Sequence, residues 1–515
     1  MKVSRCSGEV AALFVVVAIA LFVRFHAITT PAVWYDEAYS LLLAERSPAD
    51  IWSTTARDVH PPLYYVLLHY WMLMFGNGVL AARSQSALAD VGTLLLSIKL
   101  MSLVSTRRAT WMAALLFALL PISVRYSQEI RMYTLIGFWL MGATVALVCW
   151  VNSPQQKRFA VIYVLLMTAA FYTHYFSALC VLVHWFFWWL SRGLSVRAWI
   201  GANAAILFLY LPWLPHFIDQ LLQRNGLDWI PPLTWEVALT VVWSFMVMSD
   251  EPASLGWRLV PTVLIVAFAI FVVSKDRSKQ HYSALLVSYF FVPVLTVFLL
   301  SQIFPIFIHR YLLFAAVGLP IIIAVALDGW EWRDRILAPS AFLLVVAVQT
   351  YGVMAVYEQS DEISGAAFRR EGKLDVLAAR IAREARPDDE IVVEGLFWYL
   401  PFMYYNTTGI QPKMYVVKST GVPCDTYGFG GCALVPGRVE GTAFMDFSAM
   451  KPKARRVWWV TGQSDPEHSR LFPNDWIHVL TLRGGESEAR LFVLDGAPTP
   501  HEIVFQPLFT QQLPR

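Results

Sequence analysis

The sequence predicts a polytopic α-helical membrane protein of about eleven spans, followed by a soluble C-terminal α/β domain. Of the 515 residues, 57% are hydrophobic and only 15% are charged, whereas soluble globular chains carry about 25% charged residues. Long apolar runs continue to residue 357, and the charge density rises after it. These observations exclude an ordinary soluble enzyme, and a net charge of +3 argues against a nucleic-acid partner.

Spanning helices need about 20 apolar residues. Two shorter runs, 62–75 and 235–249, are expected to lie as helices at the outer surface, and counting both as spans would give a range of 11–13. The first run is interpreted as a retained span, because no convincing cleavage site follows it. The predicted spans are 10–28, 84–104, 110–123, 130–150, 159–174, 176–191, 198–217, 257–274, 283–302, 311–328 and 336–357.

Basic residues between the spans predict the topology, because cytoplasmic loops collect Lys and Arg. With eleven crossings every basic cluster falls inside, which places the N-terminus in the cytoplasm and the C-terminal domain outside. The clusters are Arg107 and Arg108, Lys157 and Arg158, Arg192 and Arg197, Lys275 to Lys279, and Arg333 and Arg335.

The C-terminal domain is expected over 358–515, and the membrane domain over 1–357. An amphipathic helix is predicted over 374–385, and Pro387 is expected to prevent it from continuing. Short β-rich runs predict strands at 391–393, 414–417, 457–460 and 491–494. Outside the cell membrane, Cys424 and Cys432 would face an oxidising compartment, and they are the candidates for a disulfide.

Ionisable side chains gather at the outer ends of the spans. Such groups are costly near hydrocarbon and are therefore functional candidates. Carboxylates, imidazoles and guanidiniums together suit a reaction in which a base takes a proton and cations hold a phosphate. The candidates are Asp36, Glu37, His60, Arg83, Glu129, Arg131, His174, His309, Arg310 and Tyr311. Plainer interpretations stay open: Asp36 could cap a helix, Arg83 could snorkel to the interface, and Glu129 could pair with a neighbouring arginine.

Five motifs carry a resemblance to a known superfamily. In chain order they are WYDEAYS, HPPLYYVLLHYW, RYSQEIRMY, THYF and HRYLL, beginning at residues 34, 60, 125, 173 and 309. Each motif is short, but the ordered series on one predicted side resembles the GT-C glycosyltransferases. The resemblance points to the bacterial branch related to protein O-mannosyltransferases and the lipid A aminoarabinose transferase, and it covers most of residues 1–357.

The resemblance implies a GT-C fold in the bacterial inner membrane. It implies transfer of one sugar from a polyprenyl-phosphate donor to a lipid, glycan or protein acceptor on the outer side. Asp36 matches the family's acidic residue in the first external loop. It would be the general base of an inverting displacement, with Glu37 as a second catalytic candidate. The donor phosphate is expected to contact His60, Arg83, Arg131, Arg310 and Tyr311. The acceptor or a metal is expected to contact Glu129, His174 and His309.

The resemblance leaves the metal requirement open. The aminoarabinose transferase has an acidic and a basic residue directly before its double proline. Here Val59 and His60 occupy those positions, and Asp58 lies one residue earlier. No cofactor is therefore predicted with certainty, and a divalent metal remains an alternative.

Two other function classes remain as alternatives. A transporter or flippase of a lipid-linked saccharide would typically show internal repeats and broken helices at the midplane. The sequence has no internal repeat, and its polar residues lie towards one face. The second alternative is a catalytically idle receptor or scaffold. Only the motif series argues against it.

Overall fold

The computed structural model describes residues 2–222, 230–248, 253–330, 336–360, 372–415, 434, 443–444, 454–462 and 472–494. The chain forms two compact units, and the second begins at Leu374. The predicted domain boundary, between 357 and 358, lies close to the undescribed residues 361–371 and stays a prediction. The predicted disulfide partners, Cys424 and Cys432, lie outside the described residues.

The first unit is helical throughout its described part. Its helices are α1 (Lys2–Phe25), α2 (Tyr35–Ala44), α3 (Pro48–Thr55), α4 (Leu63–Phe75), α5 (Val79–Val104), α6 (Arg107–Ala118), α7 (Pro121–Ser127), α8 (Tyr133–Asn152), α9 (Lys157–Phe171), α10 (Ser177–Ser191), α11 (Val196–Tyr210), α12 (Leu214–Leu222), α13 (Trp235–Leu239), α14 (Val241–Met246), α15 (Leu255–Lys275), α16 (Tyr282–Leu300), α17 (Leu313–Ala316), α18 (Gly318–Gly329) and α19 (Leu337–Glu358). A 3₁₀ turn, His309–Leu312, leads into α17.

Within the described residues, seven helices are long and apolar enough to cross a membrane, or nine if two bent pairs each count as one span. Large apolar side chains point outward from them, as Phe14 (74% exposed) and Phe208 (70% exposed) illustrate. The chain is therefore a multi-pass membrane protein. The two remaining predicted spans correspond to α9 and α10, with 15 residues each. At 1.5 Å per residue such helices reach only about 22 Å of the roughly 30 Å hydrocarbon core. The count of eleven stays a prediction.

The two bent pairs interrupt spans that were predicted as continuous. The axes of α6 and α7 differ by 52°, and those of α11 and α12 by 76°. Pro121 is the first residue of α7, and Pro212 lies between α11 and α12. Proline has no N–H to donate within a helix. Each of the two breaks therefore occurs at a proline.

The second unit contains a six-stranded mixed sheet with two described helices. Its strands and helices are α20 (Leu374–Glu384), β1 (Glu390–Glu394), α21 (Gly395–Tyr405), β2 (Lys413–Tyr415), β3 (Ala443–Phe444), β4 (Arg456–Thr461), β5 (Trp476–Gly484) and β6 (Ser487–Leu494). The strand order is β3-β2-β1-β4-β6-β5. Pairs β3/β2, β2/β1 and β1/β4 are parallel, whereas β4/β6 and β6/β5 are antiparallel. The predicted α/β class is confirmed.

One face of this sheet buries Val392, Val457, Trp459 and Phe492 together. Ile391, Val393 and Trp458, which point to the opposite face, are buried as well, so β1 and β4 are covered on both faces. The predicted helix over 374–385 is α20, and the predicted strands are found in β1, β2, β4 and β6.

Candidate active site

Helix α2 presents two neighbouring carboxylates to different surroundings. It begins after Trp34, whose backbone is extended, and its first turn contains Asp36 and Glu37. Acidic residues in a first turn interact favourably with the helix dipole. Successive helical residues are about 100° apart around the axis. Glu37 is fully buried, whereas the Asp36 side chain keeps 15% of its surface exposed.

Glu37 is bound from several directions. Its carboxylate receives two hydrogen bonds from the Arg83 guanidinium, at 2.8 and 2.7 Å, and one from the Ile130 N–H at 3.0 Å. Arg83 also donates to the carbonyls of Ile28 and Pro31, at 2.6 and 2.9 Å. The pair therefore joins α2, α5 and the turn before α8. With both groups fully buried and engaged, this geometry argues for a positioning role and against the predicted contact of Arg83 with a phosphate.

Asp36 lies between two guanidinium groups. Its Oδ2 atom is 3.4 Å from Arg310 Nη2 and 4.0 Å from Arg131 Nε. These distances exceed the roughly 2.7–2.9 Å of a charge-assisted hydrogen bond. Oδ2 accepts no hydrogen bond from any residue in the described part of the chain. The carboxylate is thus held electrostatically while one oxygen keeps its capacity to accept a proton.

The two arginines are themselves fixed. Arg131 Nη1 contacts the Asp36 carbonyl at 3.4 Å, Ser40 Oγ at 3.2 Å and Tyr65 Oη at 3.4 Å. The Arg310 guanidinium lies 5.8 to 6.0 Å from the ring centroids of Trp34, Tyr133 and Tyr311. Cation–π contacts of this kind attract the guanidinium to the ring faces and so help to orient it.

His60 and its neighbours form a second part of the cluster. His60 Nδ1 is 3.7 Å from Asp58 Oδ2. Burial lowers the pKa of His60 below its usual value although Asp58 opposes this shift, and nearby Arg131 lowers it further. The His60 ring is 5.4 Å from the ring of His174, which in turn lies 4.9 Å from Tyr311. His60, His174 and Tyr311, widely spaced in the sequence, are therefore adjacent.

Glu129 and His309 have different surroundings. Glu129 Oε2 is 2.8 Å from Arg125 Nη1. This contact is the ion pair with a neighbouring arginine that the sequence left open as an alternative. Burial raises the pKa of Glu129 to about 7, although Arg125 lowers it and Glu37 adds to the rise. His309 packs against Phe245 and Phe307, with ring centroids 6.1 and 5.5 Å away. Aromatic packing is the environment described for His309, and its predicted contact with an acceptor or metal stays a prediction.

One buried polar network was missed by the sequence interpretation. Arg24 Nε donates to Asp90 Oδ2 at 2.6 Å, and the Ser123 hydroxyl donates to the same carboxylate. Arg24 also donates to the Ala118 carbonyl at 2.9 Å, beside the break between α6 and α7. The sequence did contain a signal for this network, because an arginine and an aspartate lie inside predicted spans and charged residues there are usually paired. The network holds the segment that leads to Glu129 and Arg131.

No three His, Cys, Asp or Glu side chains within the described ranges are arranged to hold an ion. Glu37 is engaged by Arg83, and Asp58 has His60 as its neighbour.

Comparisons with known proteins identify the fold. No family model matches the chain, and no curated protein matches it. The solved structure of ArnT from Cupriavidus metallidurans in the apo state is similar, with a TM-score of 0.66 and 14% identity over 95% of this chain and 98% of that one. The same protein bound to undecaprenyl phosphate gives 0.65 and 16% over 96% and 100%.

A third structure is more distant. The oligosaccharyltransferase AglB from Archaeoglobus fulgidus, in complex with an inhibitory peptide and a dolichol-phosphate, has a TM-score of 0.50 and 12% identity. The match covers 89% of this chain and 70% of that one. ArnT and AglB are GT-C glycosyltransferases. The resemblance predicted from the motifs is therefore confirmed for the fold: this chain is a multi-pass membrane protein with the GT-C fold.

Proposed function

We propose that the chain is a glycosyltransferase that moves one sugar from a polyprenyl-phosphate donor to a hydroxyl acceptor. The observation that carries the proposal is the position of Asp36 between Arg131 and Arg310, with Oδ2 able to accept a proton. The similar structures support the donor class, since one holds undecaprenyl phosphate and another a dolichol-phosphate.

The proposed reaction is a single displacement. Asp36 takes the proton of the acceptor hydroxyl as its oxygen forms a bond to the anomeric carbon. The bond between that carbon and the phosphate oxygen breaks, and the polyprenyl phosphate leaves with the electron pair. Arg131 and Arg310 stabilise the leaving phosphate, with His60 and Tyr311 beside them. Attack opposite the leaving group inverts the anomeric centre.

The remaining side chains have supporting roles in this proposal. Glu37 and Arg83 position α2 through their buried ion pair. Glu129 contacts Arg125 and helps to position it. The acceptor is a lipid, a glycan or a protein. We further propose location in the bacterial inner membrane, with a cytoplasmic N-terminus and a periplasmic C-terminal domain. The distribution of basic clusters supports this orientation.

The test is release of polyprenyl phosphate. Purified protein would be incubated with synthetic polyprenyl-phosphate sugars and crude envelope extract as the source of acceptor. The wild type is expected to release the lipid phosphate, and Asp36→Asn is expected to abolish release. Asp50→Asn, the same substitution at an exposed position of α3, serves as the control. Absence of release from every donor, or undiminished release by Asp36→Asn, would favour a transporter or receptor.

A further inference from the structure

His174 has an unusual hydrogen-bonding state for a buried histidine. It lies in the turn between α9 and α10 and is 4% exposed. The N–H of Phe176 donates to His174 Nδ1 at 3.1 Å. A ring nitrogen that accepts a hydrogen bond carries no proton, so the neutral imidazole has its hydrogen on Nε2. His174 therefore presents an N–H donor at Nε2.

This donor has no acceptor among the described residues. Nε2 is buried and makes no hydrogen bond to any residue that the structure describes. Buried donors without partners are rare and unfavourable, and at a binding site they indicate groups reserved for a ligand.

The surroundings define the chemistry of that ligand. Aromatic rings surround His174, with centroids 4.9 Å away for Tyr311, 5.3 Å for Phe176, 5.4 Å for His60 and 6.2 Å for Tyr133. Rings and neutral hydrogen-bonding groups together suit the apolar faces and hydroxyls of a sugar. An N–H donor cannot accept a hydrogen bond from an ammonium group.

The subsite is connected to the proposed base. The Tyr133 and Tyr311 rings that face His174 also face the Arg310 guanidinium, at 6.0 and 5.8 Å. Arg310 in turn lies 3.4 Å from Asp36. Tyr133 and Tyr311 thus lie against both His174 and Arg310, so a sugar bound at His174 would lie beside the groups proposed to act at its anomeric carbon.

We propose that His174 and Tyr133 form the recognition subsite for the transferred sugar, in which His174 Nε2–H donates to a sugar hydroxyl oxygen. The inference rests on the proposed function and adds a specificity to it. At the position facing Nε2 the site selects a hydroxyl over a charged amino group.

Equilibrium binding tests the subsite independently of turnover. The probes are undecaprenyl-phosphate-linked glucose, galactose, mannose and arabinose, with the monodeoxy analogues of the tightest binder. They also include its amino analogue at the position where loss of the hydroxyl weakens binding most. One monodeoxy analogue is expected to bind the wild type about tenfold more weakly, the size of one lost hydrogen bond. His174→Phe should bind the parent sugar as weakly as that analogue and should no longer distinguish the two. His174→Gln, which keeps an N–H donor, should restore part of the difference.

The control is His184→Phe. His184 is also buried, but its Nε2 lies 2.9 Å from the Thr144 hydroxyl. This variant should keep the wild-type ratio between parent and deoxy sugar, even if it is less stable. An unchanged ratio in His174→Phe would overturn the inference. So would tighter binding of the amino analogue than of the parent sugar. Weaker binding of sugar-free undecaprenyl phosphate by His174→Phe would also overturn it, since this result would assign Nε2 to the phosphate. Failure of the proposed function would appear separately, as sugar binding without release of the lipid phosphate.

Discussion

Arg310 Nη2 lies 3.4 Å from Asp36 Oδ2, which joins the start of α2 to the 3₁₀ turn near the end of the helical unit. The separation is short enough for strong attraction but too long for a charge-assisted hydrogen bond. The positive charge of the guanidinium therefore lies beside the carboxylate, whose Oδ2 atom retains the capacity to accept a proton. This relationship is the basis of the proposed division of roles.

Replacement of Arg310 tests its proposed contact with the donor. Arg310→Ala removes a charged donor near the leaving phosphate, and a hydrogen bond to a charged group contributes about 1.5–3 kcal/mol. We expect donor affinity to fall by roughly 10- to 150-fold, measured by titration with an undecaprenyl-phosphate sugar. Arg258→Ala, which removes an arginine paired with Glu236 elsewhere in the unit, should leave the affinity unchanged. An unaltered affinity in Arg310→Ala would remove Arg310 from the phosphate site.

The Glu37–Arg83 pair should be important for stability. Glu37→Gln leaves the fully buried Arg83 without its ionic partner, and breaking a buried pair costs about 3–5 kcal/mol. The melting temperature should fall clearly. The pair Arg107–Glu9, whose side chains are 53% and 54% exposed, provides the comparison. Glu9→Gln should lower stability by at most about 1 kcal/mol. Equal effects of the two substitutions would contradict the positioning role of Glu37.

The cluster could be expected from the sequence because the predicted topology groups its residues. The basic loops predict the side of each span, and the five motifs, all at predicted outer ends, were therefore expected to share one surface. Asp36, Arg131 and Arg310 do meet in the structure. What the sequence could not separate was the roles of adjacent residues, since Asp36 and Glu37 differ only in the direction that α2 gives them.

Other features depended on packing that no local pattern encodes. The Arg24–Asp90 pair requires the register between α1 and α5, which sequence spacing does not provide. Helix α21 was missed because Pro401 lies inside it, a residue that argues against a helix. Strand β5 is an edge strand with Ile477 and Val479 half-exposed. Burial along β5 therefore does not follow the strict alternation by which a half-buried strand is recognised in a sequence.

Thermal stability should depend on pH through Glu129. The pKa of this carboxyl rises from its ordinary value of 4.5 to about 7 in the folded chain, chiefly because it is buried. The folded state then binds the proton more tightly than the unfolded state. Stability from this group is full below pH 4.5 and is lost as the pH rises to about 7. Glu129→Gln mimics the protonated form and lacks this loss.

The measurement is the melting temperature of wild type and Glu129→Gln between pH 5 and pH 8. The difference between variant and wild type should shift in favour of the variant as the pH rises. Glu236→Gln, at the partly exposed pair with Arg258, is the matched substitution. A constant difference for Glu129→Gln across this range would show that Glu129 does not exchange its proton there.

The central claim is that Asp36 takes the acceptor proton rather than holding the donor. The most direct measurement compares donor binding and release of polyprenyl phosphate in wild type, Asp36→Asn and Asp50→Asn. We predict that Asp36→Asn binds the undecaprenyl-phosphate sugar within a few-fold of wild type. Its release should fall by at least about 10²-fold, the lower range for loss of a general base. Release at the wild-type rate by Asp36→Asn, or loss of donor binding in proportion to the loss of release, would contradict the assignment of Asp36 as the base.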